Sequence, residues 1–197
     1  MRLRRPALVL AAVASFSLAG TAFAAGPRSV TFADPAKDNV SPTASGDITG
    51  VTFSTTGPGK GKGYTPKSLV VTLSLGAAPS ADAQYQVGWT IDGCEYYMQY
   101  APGARLSPDF AYADCGSEPD ATGDAGTSFG FQPQLKGSSL VFKAVIKDLP
   151  NKVKLGATLS SLNAWADAVE PTGLYGPASF TGPLYDTAKT TKDYTLG

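Results

Sequence analysis

Residues 85–100 read YQVGWTIDGCEYYMQY, and this stretch decides the fold class. Tyr85, Val87, Trp89 and Ile91 alternate with Gln86, Gly88 and Thr90. A period of two puts each set on its own face of an extended strand, whereas a helix would need a period of 3.6. Asp92-Gly93 follows, a dipeptide that tolerates the positive φ of a tight two-residue hairpin turn. Cys94 to Ala101 continues beyond it, so the stretch reads as two antiparallel strands joined by a short turn.

The same rhythm extends in both directions. Val30 and Phe32 begin a first strand, and Ile48, Val51 and Phe53 lie in a second with an irregularity at Gly50. GPGKGKGYTP at 57–66 holds no regular structure and reads as a hairpin tip; it lacks the Gly-Lys-Ser/Thr ending of a phosphate loop. Leu69, Val71, Leu73 and Leu75 alternate with Val70, Thr72 and Ser74. Asp109 to Ala113 forms a short strand, the acidic loop GSEPDATGDAG follows, and Phe129 and Phe131 start another strand. Leu140, Phe142, Ala144 and Ile146 alternate with Val141, Lys143, Val145 and Lys147. Leu155 to Ala168 suits a strand better than a short helix, and the tail TTKDYTLG at 190–197 adds little. Many short strands, frequent turn residues and no amphipathic helix predict an all-β chain, a two-sheet antiparallel β-sandwich of jelly-roll or immunoglobulin-like type.

Composition narrows the compartment and the chemistry. Arg2, Arg4 and Arg5, the apolar run Ala7–Leu18 and the small-x-small triplet Ala22-Phe23-Ala24 make a secretory leader, residues 1–24, with the cut after Ala24. Residues 25–197 then form a single domain, secreted or at the cell surface, with no membrane insertion once the leader is gone. Losing three arginines turns an even balance of 16 basic and 16 acidic residues into an acidic excess. That balance argues against nucleic acid as a partner. Histidine is absent, which excludes a Ser-His-Asp triad, a His-activated cysteine and His-ligated zinc or haem within the chain. Cys94 and Cys115 are the only cysteines. In an exported chain the pair reads as a disulfide, with two free thiols as the alternative.

DPAKDN at 34–39, then GDITGV at 46–51 and SLVVTLSL at 68–75, resembles the opening of secreted β-sandwich modules of the DOMON and family-9 carbohydrate-binding type, and of the C-terminal domain of glucodextranase-like enzymes. YQVGWTIDG is similar to the second hairpin of such modules. The likeness covers the first third of the processed chain; Lys37 departs from it where glycine is usual. The resemblance implies a sandwich that binds sugars or haem or supports another domain, with a structural calcium near the N-terminal turn in some members. The matching carboxylates are Asp34, Asp38 and Asp47. Calcium takes six to eight oxygens, of which three aspartates supply part. The competing reading is turn geometry, since Asp before Pro and Asp after Gly are common turn formers.

Ligand contact points to aromatic residues, because sugars stack their C–H faces on rings while nearby polar groups fix orientation. CEYYMQY puts Tyr96, Met98 and Tyr100 on one face and Glu95, Tyr97 and Gln99 on the other. Either set faces the core while the other faces solvent, so Tyr96, Tyr97 and Tyr100 are all candidates. Trp89 belongs to the core alternation. Trp165, among small and polar residues, is the more exposed tryptophan and the fourth candidate. Asp114, Glu118, Asp120 and Asp124 do not match an EF-hand loop and read as a solvated acidic segment. Asn39-Val40-Ser41 formally matches a glycosylation acceptor, disfavoured by the proline that follows. The expected function is an exported non-catalytic module for a polysaccharide or a cell-surface component. The alternative is a structural or protein-interaction module without a small ligand.

Overall fold

The computed structural model describes residues 29–34, 43–57, 67–103, 109–116, 126–168 and 184–197. The leader and Asp38 lie outside these residues, as do nearly all of the glycine-lysine tip and of the acidic loop. Twelve strands are described: β1 (Ser29–Ala33), β2 (Ile48–Thr56), β3 (Ser68–Leu75), β4 (Ala83–Ile91), β5 (Cys94–Tyr100), β6 (Asp109–Asp114), β7 (Thr127–Ser128), β8 (Phe131–Lys136), β9 (Ser139–Val145), β10 (Thr158–Ala168), β11 (Leu184–Lys189) and β12 (Tyr194–Thr195). No α-helix occurs among the described residues, and none of their helical segments is long and apolar enough to cross a membrane.

The strands form two antiparallel sheets. One runs β1-β2-β3-β9-β8; the other runs β11-β10-β4-β5-β6-β7, with β12 also pairing β10. Period-two patterning explains how they pack. Val51, Phe53, Leu69, Val71, Leu73, Leu140 and Phe142 from the first sheet are buried against Tyr85, Val87, Trp89, Tyr96 and Met98 from the second, in one continuous core. Phe53 meets Trp89 edge-to-face across the layers at 6.3 Å between ring centres. Trp89 in turn stacks on Tyr96 at 5.7 Å. Such pairs add about 0.5–1.5 kcal/mol beyond the area they bury.

The hairpin at 92–93 forms as its sequence demands, with φ of 50° at Asp92 and 82° at Gly93. The irregularity expected at Gly50 is a register shift between Ile48 and Gly50 in the β2–β3 pairing. Cys94 and Cys115 are joined in a disulfide. It ties the start of β5 to the end of β6, beside Asn151, whose Nδ2 donates to Cys115 Sγ at 2.6 Å.

Two expectations are corrected. Phe129 does not start a strand: Phe129 and Gly130 carry the chain from the seven-stranded sheet to β8 of the other layer. The C-terminal tail is part of the core. Tyr194 and Leu196 are 0% and 1% exposed, β12 pairs with β10, and the Tyr194 hydroxyl bonds Thr55 on the opposite sheet. Only two apolar side chains fall in that octapeptide, too few to show a period.

Candidate functional site

The outward face of the seven-stranded sheet carries the site. Register sets its rows. Trp165 on β10 sits opposite Gln86 on β4, Gln86 opposite Gln99 on β5, and Gln99 opposite Phe110 on β6. In the neighbouring row Gly88 pairs with Tyr97, and Tyr97 with Tyr112. In the third, Thr90 pairs with Glu95, and Glu95 with Asp114. Apart from Gly88 and Thr90, the residues of these rows line an open cleft of about 350 Å³, at the lower end of small-molecule sites.

The aromatic side chains are ordered. Tyr97 and Tyr112 lie nearly parallel at 6.5 Å between ring centres, and Tyr112 and Phe110 likewise at 6.1 Å. Trp165 crosses Tyr97 at 70°, 5.9 Å away. Gly88 leaves room for the Tyr97 ring and the Asn163 side chain on either side of β4. A Cβ there would stand 3.1 Å from Tyr97 Cδ1 and 2.6 Å from Asn163 Oδ1, closer than either would tolerate without moving.

Between the rings lies a band of buried amides. Gln99 Nε2 donates to Gln84 Oε1 at 3.2 Å, and Gln84 also bonds the Asp167 carboxyl beside it. Burial pushes that carboxyl up to about 6, against the smaller opposing effect of the Gln84 bond. Gln86 is 2% exposed, yet its Oε1 has no hydrogen-bond partner among the described residues. A buried acceptor left unpaired costs about 1–3 kcal/mol. Tyr97 donates its hydroxyl proton to Glu95. Burial first, then Glu95, raises the ionisation of that hydroxyl well above the ordinary phenol range, so it stays a donor at any physiological pH.

The expected contact residues divide by strand parity. Tyr97 and Trp165 meet in the cleft. Tyr96 is 1% exposed in the core, its hydroxyl donating to Pro150 O at 3.2 Å. Tyr100 alternates to the same side and packs half-buried against the core. Burial removes Tyr96 from the contact candidates, and Tyr100 does not line this cleft. Trp89 and Met98 are buried, as the alternation requires. Gln86, Gly88, Phe110 and Tyr112 complete the site and were not singled out from sequence. Gln86 and Gly88 were visible only as the polar half of an alternating strand.

The main chain of the described aspartates of the N-terminal excursion, Asp34 and Asp47, is hydrogen-bonded. The Asp47 N–H donates to Ala44 O at 3.3 Å, and Asp47 O accepts from Gly76 N at 2.8 Å. Its carboxylate lies so near Gly76 that a Cβ there would come within 2.8 Å of Oδ2. The Asp34 N–H donates to Thr49 O at 3.4 Å. No three His, Cys, Asp or Glu gather into a metal-binding group among the described residues. A buried aspartate missed from sequence, Asp186 on β11, accepts from Ile48 N at 2.6 Å and so ties the two sheets together.

The chain matches no family model, no curated protein and no solved structure. The likeness to DOMON and family-9 carbohydrate-binding modules therefore stands on the quoted sequence stretches alone.

Proposed function

We propose that the protein is an exported, non-catalytic module that binds carbohydrate through the outward face of its seven-stranded sheet. The unpaired Gln86 Oε1 beneath the Trp165–Tyr97 pair carries the reading. A sugar presents both complements at once: a C–H face for the rings and a hydroxyl hydrogen for the amide oxygen. Secretion rests on the leader at 1–24 and on the cysteine pairing, which suits an oxidising compartment. A structural calcium held by Asp34, Asp38 and Asp47 is a separate proposal, supported by the sequence resemblance and the carboxylate spacing.

The test is affinity electrophoresis through gels cast with a panel of polysaccharides. The wild-type chain should be retarded by at least one polymer. Trp165→Ala should abolish the retardation while leaving the far-UV spectrum unchanged. Free migration through every polymer would defeat the reading in favour of a structural or protein-interaction module.

A further inference from the structure

One end of the cleft carries negative charge that no basic residue among the described ones offsets. Glu95 on β5 and Asp114 on β6 are direct cross-strand partners, and both line the cleft. Like charges placed directly opposite destabilise an antiparallel pair. The polar contacts recorded for them are the Tyr97 hydroxyl donating to Glu95 and the Gly116 N–H donating to Asp114 Oδ1 at 2.8 Å. Neither donor is charged. Among the described residues no basic side chain lines the cleft, and no Lys or Arg of theirs pairs with either carboxylate.

The rings stand beside this charge. Tyr97 and Tyr112 lie in the row next to Glu95 and Asp114, and Trp165 crosses Tyr97. Aromatic faces attract cations through the ring quadrupole. Phosphate, sulfate or uronate would meet repulsion here. A bare metal ion fits poorly, because no third carboxylate among the described residues joins the pair. Independently of the charge, Gln86 lines the same cleft with its buried acceptor unpaired among the described residues. It calls for an N–H or O–H donor on whatever binds.

We infer that the cleft selects sugars bearing a protonated amine, with the ammonium held by Glu95, Asp114 and the neighbouring aromatic rings while Gln86 accepts a hydrogen bond from the same ligand. The inference rests on the carbohydrate reading and narrows its substrate class.

Calorimetric titration tests it with three probes of equal length: oligomers of glucosamine, of N-acetylglucosamine and of glucose. Mildly acidic buffer keeps the sugar amines protonated. At low ionic strength the glucosamine oligomer should bind about tenfold more tightly than the other two, the scale expected of partly exposed ion pairs combined with cation–π contact. High salt should close most of that gap, since exposed charges are screened. In Glu95→Gln and in Asp114→Asn the ratio of glucosamine to glucose affinity, measured on the same variant, should fall severalfold. The salt series uses only wild-type protein, so it stands even if a variant folds poorly. Equal affinity for all three oligomers overturns the inference and leaves the carbohydrate reading intact. A preference that survives both substitutions overturns the assignment to these carboxylates. Binding of none of the three, with free migration through every polysaccharide gel, overturns both.

Discussion

Replacing Asp167 by asparagine should stabilise the protein, by an amount that grows with pH. Asp167 is 4% exposed, and burial raises its carboxyl from 3.8 to about 6. The unfolded chain ionises near the ordinary value, so between these two points the native state holds the extra proton. Protonation therefore contributes stability that is complete below the unfolded value and is lost as pH rises through about 6. The difference corresponds to at most about 3 kcal/mol at neutral pH. Asparagine keeps an oxygen that can accept from Gln84 and never carries the charge. Urea unfolding of wild type and Asp167→Asn is the assay, since the linear extrapolation yields both free energies. The gap should be about 1.5 kcal/mol near pH 5, where the native carboxyl is mostly protonated, and should widen towards about 3 kcal/mol by pH 8. Carboxylates elsewhere titrate equally in both proteins and cancel in the difference. A variant no more stable than wild type at pH 8, or a gap that does not change with pH, would refute the claim that burial dominates this group.

Tyr194→Ala should lower stability by about 3–5 kcal/mol, the usual loss for a fully buried aromatic, and Tyr194→Phe by about 1 kcal/mol through the hydroxyl bond to Thr55; denaturation showing a loss under 1 kcal/mol for alanine would mean the tail does not hold the sheets together. Reducing Cys94–Cys115 should remove about 3 kcal/mol, because the bridge closes a loop with a sequence separation of 21; unchanged thermal unfolding in reductant would contradict this. Chelator should lower the unfolding midpoint by several degrees if Asp34, Asp38 and Asp47 hold calcium, since an ion bound only by the folded chain stabilises it by mass action; an identical midpoint with and without chelator removes the ion.

Much of the fold was readable residue by residue. The alternation through 69–75, 85–91 and 140–146 specified strands, and Asp92-Gly93 specified their turn, because both signals are local and depend on one chain's own periodicity. The short C-terminal strand at 194–195 was not readable, since its burial comes from contacts with β10 and with Thr55, far away in sequence. The site was legible in halves. CEYYMQY showed that Tyr97 and Tyr96 must face opposite ways, but not which way was out. That choice belongs to the five-stranded sheet, whose Phe53 covers the Trp89 side and leaves the Tyr97 side open.

From its residues alone the chain determined an all-β class, a cysteine pair suited to a disulfide, and the exclusion of histidine chemistry. These follow from composition and from period-two patterning, which act through neighbours along the chain. The tertiary structure alone decided that Trp165 and Tyr97, far apart in sequence, meet above the buried Gln86 acceptor, and that Glu95 and Asp114 face each other without a basic partner among the described residues. Strand order and register bring those groups together, and packing of one whole sheet against the other sets which of their faces remains open.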